Sequence, residues 1–312
     1  TGSVTNATLA GTNIFADSLR ISAAGNVGAP GTSLQSEVLN IAVLAGGTSG
    51  VFVRDATALE VTTIVPVLVV DVSPTGEVFD LADLVSLNGI TSNANVVVQT
   101  SSGDLRVAMN IASANAGNLL LDAAANLVVD AIVDADSGHA TLLAGVDVGL
   151  NADLITDGGS VLISAATGSV TMSDAVVLST DGGDVRIEAE TDTTLALVDT
   201  RTSADVTGDT LDDQDNWGRV SLVNRTGSLF APLAGLNLYA SDLRILAFTT
   251  IGTPTAALET EVQTLTAIVN GPASAGDISV IEATALSVEP VAAVVVSQVA
   301  ADASTSAVAD AL

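Results

Sequence analysis

The sequence predicts an all-β fold, a parallel β-solenoid, from three observations. The first is a line length. Residues 117–189 divide into segments that each open with glycine, one variable residue, then two small or aliphatic residues one apart: Leu119/Leu121, Ala140/Leu142, Val161/Ile163 and Val185/Ile187. The opening glycines stand at 117, 138, 159 and 183, a period of 21 to 24 residues. The second is alternation. Runs such as 160–164, 169–172 and 176–180 place every other side chain on one face, which is strand logic. About three strands in a period of about 20 residues describe one coil of a solenoid. A single coil cannot bury its apolar face, so coils stack and inward Val, Ile and Leu align into ladders. The third is composition: hydrophobic residues make up 48% of the chain and aromatics 2%. Those proportions suit a narrow aliphatic core, whereas catalytic clefts use more aromatic and polar variety.

Solenoids grow along one axis, so residues 1–312 are read as one continuous rod and not as two domains. Coils with three strands each give roughly 12 to 14 turns, or a rod roughly 60 to 70 Å long. Residues 1–61 already read as coils, and the wording returns from 226 onward. Leu19-Arg20-Ile21 matches Leu243-Arg244-Ile245, Val27-Gly28 matches Ile251-Gly252, and Glu37-Val38 matches Glu261-Val262. Ala56-Thr57-Ala58-Leu59 matches Ala283-Thr284-Ala285-Leu286. Residues 1–85 and 226–312 are therefore read as copies of one unit, offset by 224 to 227 residues.

Two stretches interrupt the frame. Residues 62–102 are less regular, with the turn signal Pro74-Thr75-Gly76, and are expected to form a loop or an imperfect coil. Residues 199–217 are an acidic insertion that stretches the glycine spacing from 183 to 218. The Ala/Val/Ser-rich residues 289–312 are expected to continue the coils. Neither end shows a polar amphipathic cap, so more chain or a second subunit is expected to cover the open strand edges.

Charge narrows the partners. There are 36 acidic residues against 8 basic, every basic residue is Arg, and the net charge is −28. That balance argues against nucleic acid and anionic membrane, which need cationic contacts, and favours solubility and diffuse cation binding. The absence of Cys excludes disulfides and thiolate metal sites, and the absence of Lys excludes Lys–Asn cross-links. No apolar run reaches the length of a membrane helix, and no signal peptide is visible.

Candidate chemistry is sparse. His139, the single histidine, follows an opening glycine, and no triad or metal partners are placed around it, so it reads as a corner residue. Carboxylates are plentiful, as in β-helix enzymes that cleave polysaccharides. With no Lys, one Trp and one Tyr, however, an enzymatic role is not expected. The metal candidates are Asp209, Asp212, Asp213 and Asp215, as a calcium site in the acidic insertion. Their spacing only echoes a calcium loop, because Trp217 stands where a ligand belongs and Asn224 where the closing Glu belongs. Trp217 reads as a plug closing the insertion onto the rod. The sequons at Asn6 and Asn224 would accept glycans only with matching machinery.

The wording of the coils (LRISAAGNVGAPGTSL, GSVLISAATGSVTM, GDVRIEAE) resembles the filamentous-haemagglutinin-like repeats of giant bacterial surface exoproteins and adhesins. The resemblance covers nearly the whole chain and consists of the solenoid rule, not a site. It implies a right-handed parallel β-helix at or outside a bacterial cell surface, displayed as a stalk, adhesin or fibre. The partners it implies are further copies stacked end to end, or a glycan or receptor on a host or neighbouring cell.

Overall fold

The structure, a computed structural model, describes residues 2–7, 11–82, 85–208, 214–232, 235–272 and 276–310. About twelve turns stack into a parallel β-solenoid. Three columns of strands run its length. The first holds Val51–Asp55, Val96–Thr100, Leu119–Ala123, Ala140–Ala144, Val161–Ala165, Val185–Ala189 and Val220–Asn224, all parallel. Its register places Val96, Leu119, Ala140, Val161, Val185, Val220 and Leu243 one above another. The second column stacks Leu59, Leu105, Leu127, Val148, Val170, Thr193 and Leu229. The third stacks Ile90, Ile111, Val133, Leu154, Leu178, Val198 and Leu238. These residues are fully buried or nearly so, and all but the polar Thr193 belong to one continuous aliphatic cluster.

The opening glycine has a steric cause. A Cβ on Gly138 would overlap the carbonyl oxygen of Gly117; one on Gly159 would meet Gly138, one on Gly183 would meet Gly159, and one on Gly218 would meet Gly183. The backbones of successive coils approach too closely here for any side chain. Just before the glycine an inward hydroxyl closes the corner, except at Gly138, where Ala135 takes its place. Ser113 Oγ donates to Gly117 O, Thr156 Oγ1 to Gly159 O and Thr180 Oγ1 to Gly183 O, at 2.9, 2.6 and 2.7 Å. Thr200 Oγ1 makes the same bond to Gly218 O at 2.9 Å, although 17 residues separate them instead of two or three. The insertion is thus looped out of an intact corner.

Positions matched between the two sequence copies make matching bonds. Asp55, which is fully buried, accepts from Ser36 Oγ at 2.6 Å, Val38 N at 3.0 Å and Thr57 N at 2.9 Å. Glu282 accepts from Thr260 Oγ1 at 2.7 Å, Val262 N at 3.0 Å and Thr284 N at 3.3 Å. Each copy also turns sharply after its Val-Gly or Ile-Gly pair, with Gly28 at φ 69° and Gly252 at φ 61°.

Two segments depart from the sequence expectations. The irregular stretch expected over 62–102 is shorter: Ile90–Ser92 and Val96–Thr100 already lie in their columns, leaving 63–88 outside. Residues 289–310 do not continue the coils. Val295–Val299 pairs antiparallel with Thr305–Ala309, and this hairpin lies across the outside of the first column. The reason lies in the covered face. The second residue of each first-column strand points outward, yet Phe52, Val97, Leu120 and Leu162 stand there, and the hairpin buries them with Val294, Val296 and Val299. No helix among the described residues is long and apolar enough to cross a membrane.

Candidate functional site

The corners account for many of the acidic residues. In the column just after the opening glycines, a side-chain acceptor on each coil takes the backbone N–H of the next. Asn95 Oδ1 accepts from Asn118 N at 2.9 Å, Asn118 Oδ1 from His139 N at 3.1 Å, and Asp184 Oδ1 from Arg219 N at 2.8 Å. A second corner repeats the device. Asp104 accepts from Asn126 N, Asn126 from Asp147 N and Asp147 from Ser169 N, at 2.9, 3.3 and 2.7 Å. The carboxylates of Asp104, Asp147 and Asp184 and the amides of Asn95, Asn118 and Asn126 thus stitch coils together.

His139 is a rung of the first of these ladders. Its Nδ1 accepts the Ser160 backbone N–H at 3.0 Å, so the proton of the neutral ring sits on Nε2. Burial lowers its pKa from the ordinary 6.5. An unfolded chain therefore takes up the proton first as pH falls. The His139 contribution is complete above pH 6.5 and is lost below it, toward the lowered folded value. Asparagine fills the same place in the two preceding coils, so His139→Asn should retain the ladder and remove this part of the acid sensitivity. Thermal melts of both proteins from pH 7.5 down to about pH 5 check this, with the variant's melting temperature falling less.

The more conspicuous feature is the projection at 63–88. The chain leaves the third coil after Thr62 and returns at Gly89, whose N–H bonds Thr62 O at 3.0 Å. Between them Thr63–Ile64 pairs with Leu87–Asn88, and Leu68–Val72 with Val78–Ala82, both antiparallel. Ser73 and Gly76 form the turn, with Gly76 at φ 83° and its N–H on Ser73 O at 2.9 Å. Leu68–Val72 is exposed along its whole length. Val65, Leu68, Val70, Val72, Val78 and Phe79 are each more than half exposed, Val78 at 64%. Two-stranded hairpins are marginal alone, and this one holds its apolar residues in solvent, as binding elements do.

The acidic insertion is anchored by its own small cluster. Arg201 grips Asp199 through Nε and Nη2 at 2.9 and 2.7 Å and stacks 3.6 Å over the ring of Tyr239. Trp217 is buried edge-on to Tyr239 at 6.0 Å and donates Nε1–H to Asp205 Oδ2 at 3.1 Å, in the short helix Ser203–Gly208. Trp217 thus seats the insertion on the rod. Beside it a groove of about 500 Å³ is lined by Asp134, Asp136, Asp157 and Asp181 together with Arg201 and the apolar Val206. A hydrogen bond with Asp181, reinforced by repulsion from Asp181, raises the pKa of Asp157 above its ordinary value. Of the calcium candidates, Asp209, Asp212 and Asp213 lie outside the described residues. Asp215 accepts a hydrogen bond from Gln263 Nε2 at 2.8 Å, two coils further along. No group of three metal-ligating side chains occurs among the described residues. Asn224 of the second sequon is buried, its amide donating to Thr191 O and Thr193 Oγ1, so a glycan cannot reach it in the folded rod.

The sequence contained the hairpin's signal, a Pro-Thr-Gly turn between a β-branched run and a short apolar stretch, but not its exposure. In the comparisons with known proteins, no family model, no curated protein and no solved structure matches the chain.

Proposed function

We propose that this chain is a stiff, non-enzymatic segment of an extracellular bacterial surface protein, and that the hairpin at 63–88 carries its recognition. The observation behind this reading is the contrast between the hairpin and the rod. Before its last coils the rod buries its aliphatic ladders and uses corner carboxylates and amides as coil-to-coil acceptors, whereas the hairpin holds Val and Phe side chains out in water. The wording of the coils supports the cell-surface setting, and the acidic surface keeps neighbouring rods apart. A receptor that accepts an exposed strand edge and apolar side chains suits the hairpin.

The structure supplies a clean deletion. Joining Thr62 to Gly89 closes a corner whose ends are already hydrogen-bonded at 3.0 Å. The spliced rod should unfold at the same denaturant concentration as the intact chain while losing at least tenfold in adhesion to target cells. Undiminished adhesion by the spliced rod would defeat the reading.

A second reading, a subunit of an end-to-end fibre, is favoured by one observation. The last coils expose Ile278, Ile281 and Val288, the last at 77%.

A further inference from the structure

Arg54 differs from the other paired arginines of the rod. Among the described residues, Arg106, Arg186, Arg201, Arg219, Arg225 and Arg244 each have a carboxylate within ion-pair distance. Arg54, exposed on the outer face, has none, in a chain with 36 acidic residues against 8 basic. Its Nε donates to Ser101 Oγ at 3.0 Å, which leaves both Nη groups of the guanidinium for another acceptor. The fold does not ask for an arginine there. In the first sequence copy Leu34, Gln35 and Ser36 pair with Val53, Arg54 and Asp55. In the second, Leu258, Glu259 and Thr260 pair with Val280, Ile281 and Glu282 in the same parallel register. The same ladder therefore forms with Ile281 in place of Arg54 and Glu259 in place of Gln35.

Arg54 lines a polar groove of about 230 Å³ with Thr32, Ser33, Gln35 and Gln99. Gln35 and Gln99 flank it directly, one on each neighbouring coil. Gln35 Nε2 donates to Ser33 O at 3.3 Å, and Gln99 Nε2 to Asp122 Oδ2 at 2.8 Å. The second bond ties down the next carboxylate along the row. Asp302, in the turn of the C-terminal hairpin, is likewise engaged, accepting from Ser304 N at 3.0 Å and Ser304 Oγ at 2.5 Å. Ala301 of that turn closes the groove, and Val299 and Ala303 on either side of it share one buried cluster with Phe52.

We propose that this groove binds a single acidic sugar, a hydroxylated ring that carries one carboxylate. Arg54 receives the carboxylate through its two Nη groups, the planar fork that matches a carboxylate's two oxygens. The amide oxygens of Gln35 and Gln99 and the hydroxyls of Thr32 and Ser33 serve the ring hydroxyls. The groove is smaller than the roughly 300 to 1,000 Å³ of drug-sized ligand sites, so one sugar unit fills it. Its polar lining suits a ligand with hydroxyls around its edge. The site is separate from the hairpin at 63–88 and does not depend on what that hairpin binds.

Ligand-observed NMR titration of the full-length chain tests this with glucuronate, N-acetylneuraminate, acetate and glucose. Saturable millimolar binding of glucuronate or N-acetylneuraminate is expected. It should be at least tenfold tighter than binding of acetate, which lacks the hydroxyls, or of glucose, which lacks the carboxylate. The tighter of the two sugar acids identifies the source as a uronic acid or a glycan-terminal sialic acid. Arg54→Ile, which copies the second repeat, should lose at least tenfold in that affinity while unfolding at the same urea concentration. Failure of both sugar acids to bind would overturn the proposal, as would equal binding of acetate or glucose. Undiminished binding by Arg54→Ile, or a marked drop in its unfolding midpoint, would also overturn it, the latter by making Arg54 a structural residue.

Discussion

Gly159→Val is expected to cost about 3 kcal/mol or more of stability, because its Cβ would overlap the Gly138 carbonyl oxygen, and that oxygen belongs to the backbone of the coil beneath. The cost is steric and not conformational, since Gly159 is absent from the positive-φ glycines. The coil can relieve the overlap only by lifting away from its neighbour. That would stretch the first-column pairing of Ala140 with Val161 and the corner bond from Thr156. Gly149 is the control. It lies in a second-column strand with open space where a Cβ would point, so Gly149→Ala should be neutral or slightly stabilising. Urea denaturation of the three proteins separates these outcomes.

The second large effect is expected at the anchor of the C-terminal hairpin. The side chains of Arg244 and Asp310 are 7% and 1% exposed, and their ion pair is 2.6 Å long. Asp310→Ala leaves the Arg244 guanidinium buried without its carboxylate, which in comparable cases costs about 3 to 5 kcal/mol. Arg186, also buried in the same outward row and paired with Glu188 at 2.8 Å, feels the loss too, because Asp310 is a further negative charge that opposes the effect of its burial. Much of the penalty can be avoided if the hairpin lifts and lets water in. The expected signature is therefore rapid amide exchange across Val295–Val299 with the coils still protected. Replacing both partners, as Arg244→Leu with Asp310→Leu, should recover a large share of the loss, since an apolar pair needs no charge compensation.

The sequence made some of this legible and hid the rest for definable reasons. The glycine period and the alternating runs sufficed for the columns, because each coil must repeat the same close approach and the same inward face. The looped-out insertion was visible as a stretched glycine spacing, with Trp217 as its seat. The C-terminal hairpin was misread because its Val/Ala/Ser alternation is as good for an antiparallel strand as for a coil. Its signal lay elsewhere, in the unbroken triplets Val51-Phe52-Val53, Val96-Val97-Val98 and Leu119-Leu120-Leu121. Alternation calls for a polar residue at each centre, and an apolar one there means that something covers the outer face. The corner ladders could not be read either. Whether an Asp is a solvated charge or an acceptor for the next coil depends on stacking across more than twenty residues of sequence.

The claim at the centre is mechanical: the stacked columns act as one stiff rod from which recognition elements project. Electron microscopy of the purified full-length chain tests it most directly. Twelve turns at about 4.8 Å each should appear as straight particles roughly 60 Å long and of uniform length, each with a lateral spike near one end where 63–88 leaves the third coil. Compact round particles, or rods jointed at the acidic insertion into independently oriented halves, would contradict it.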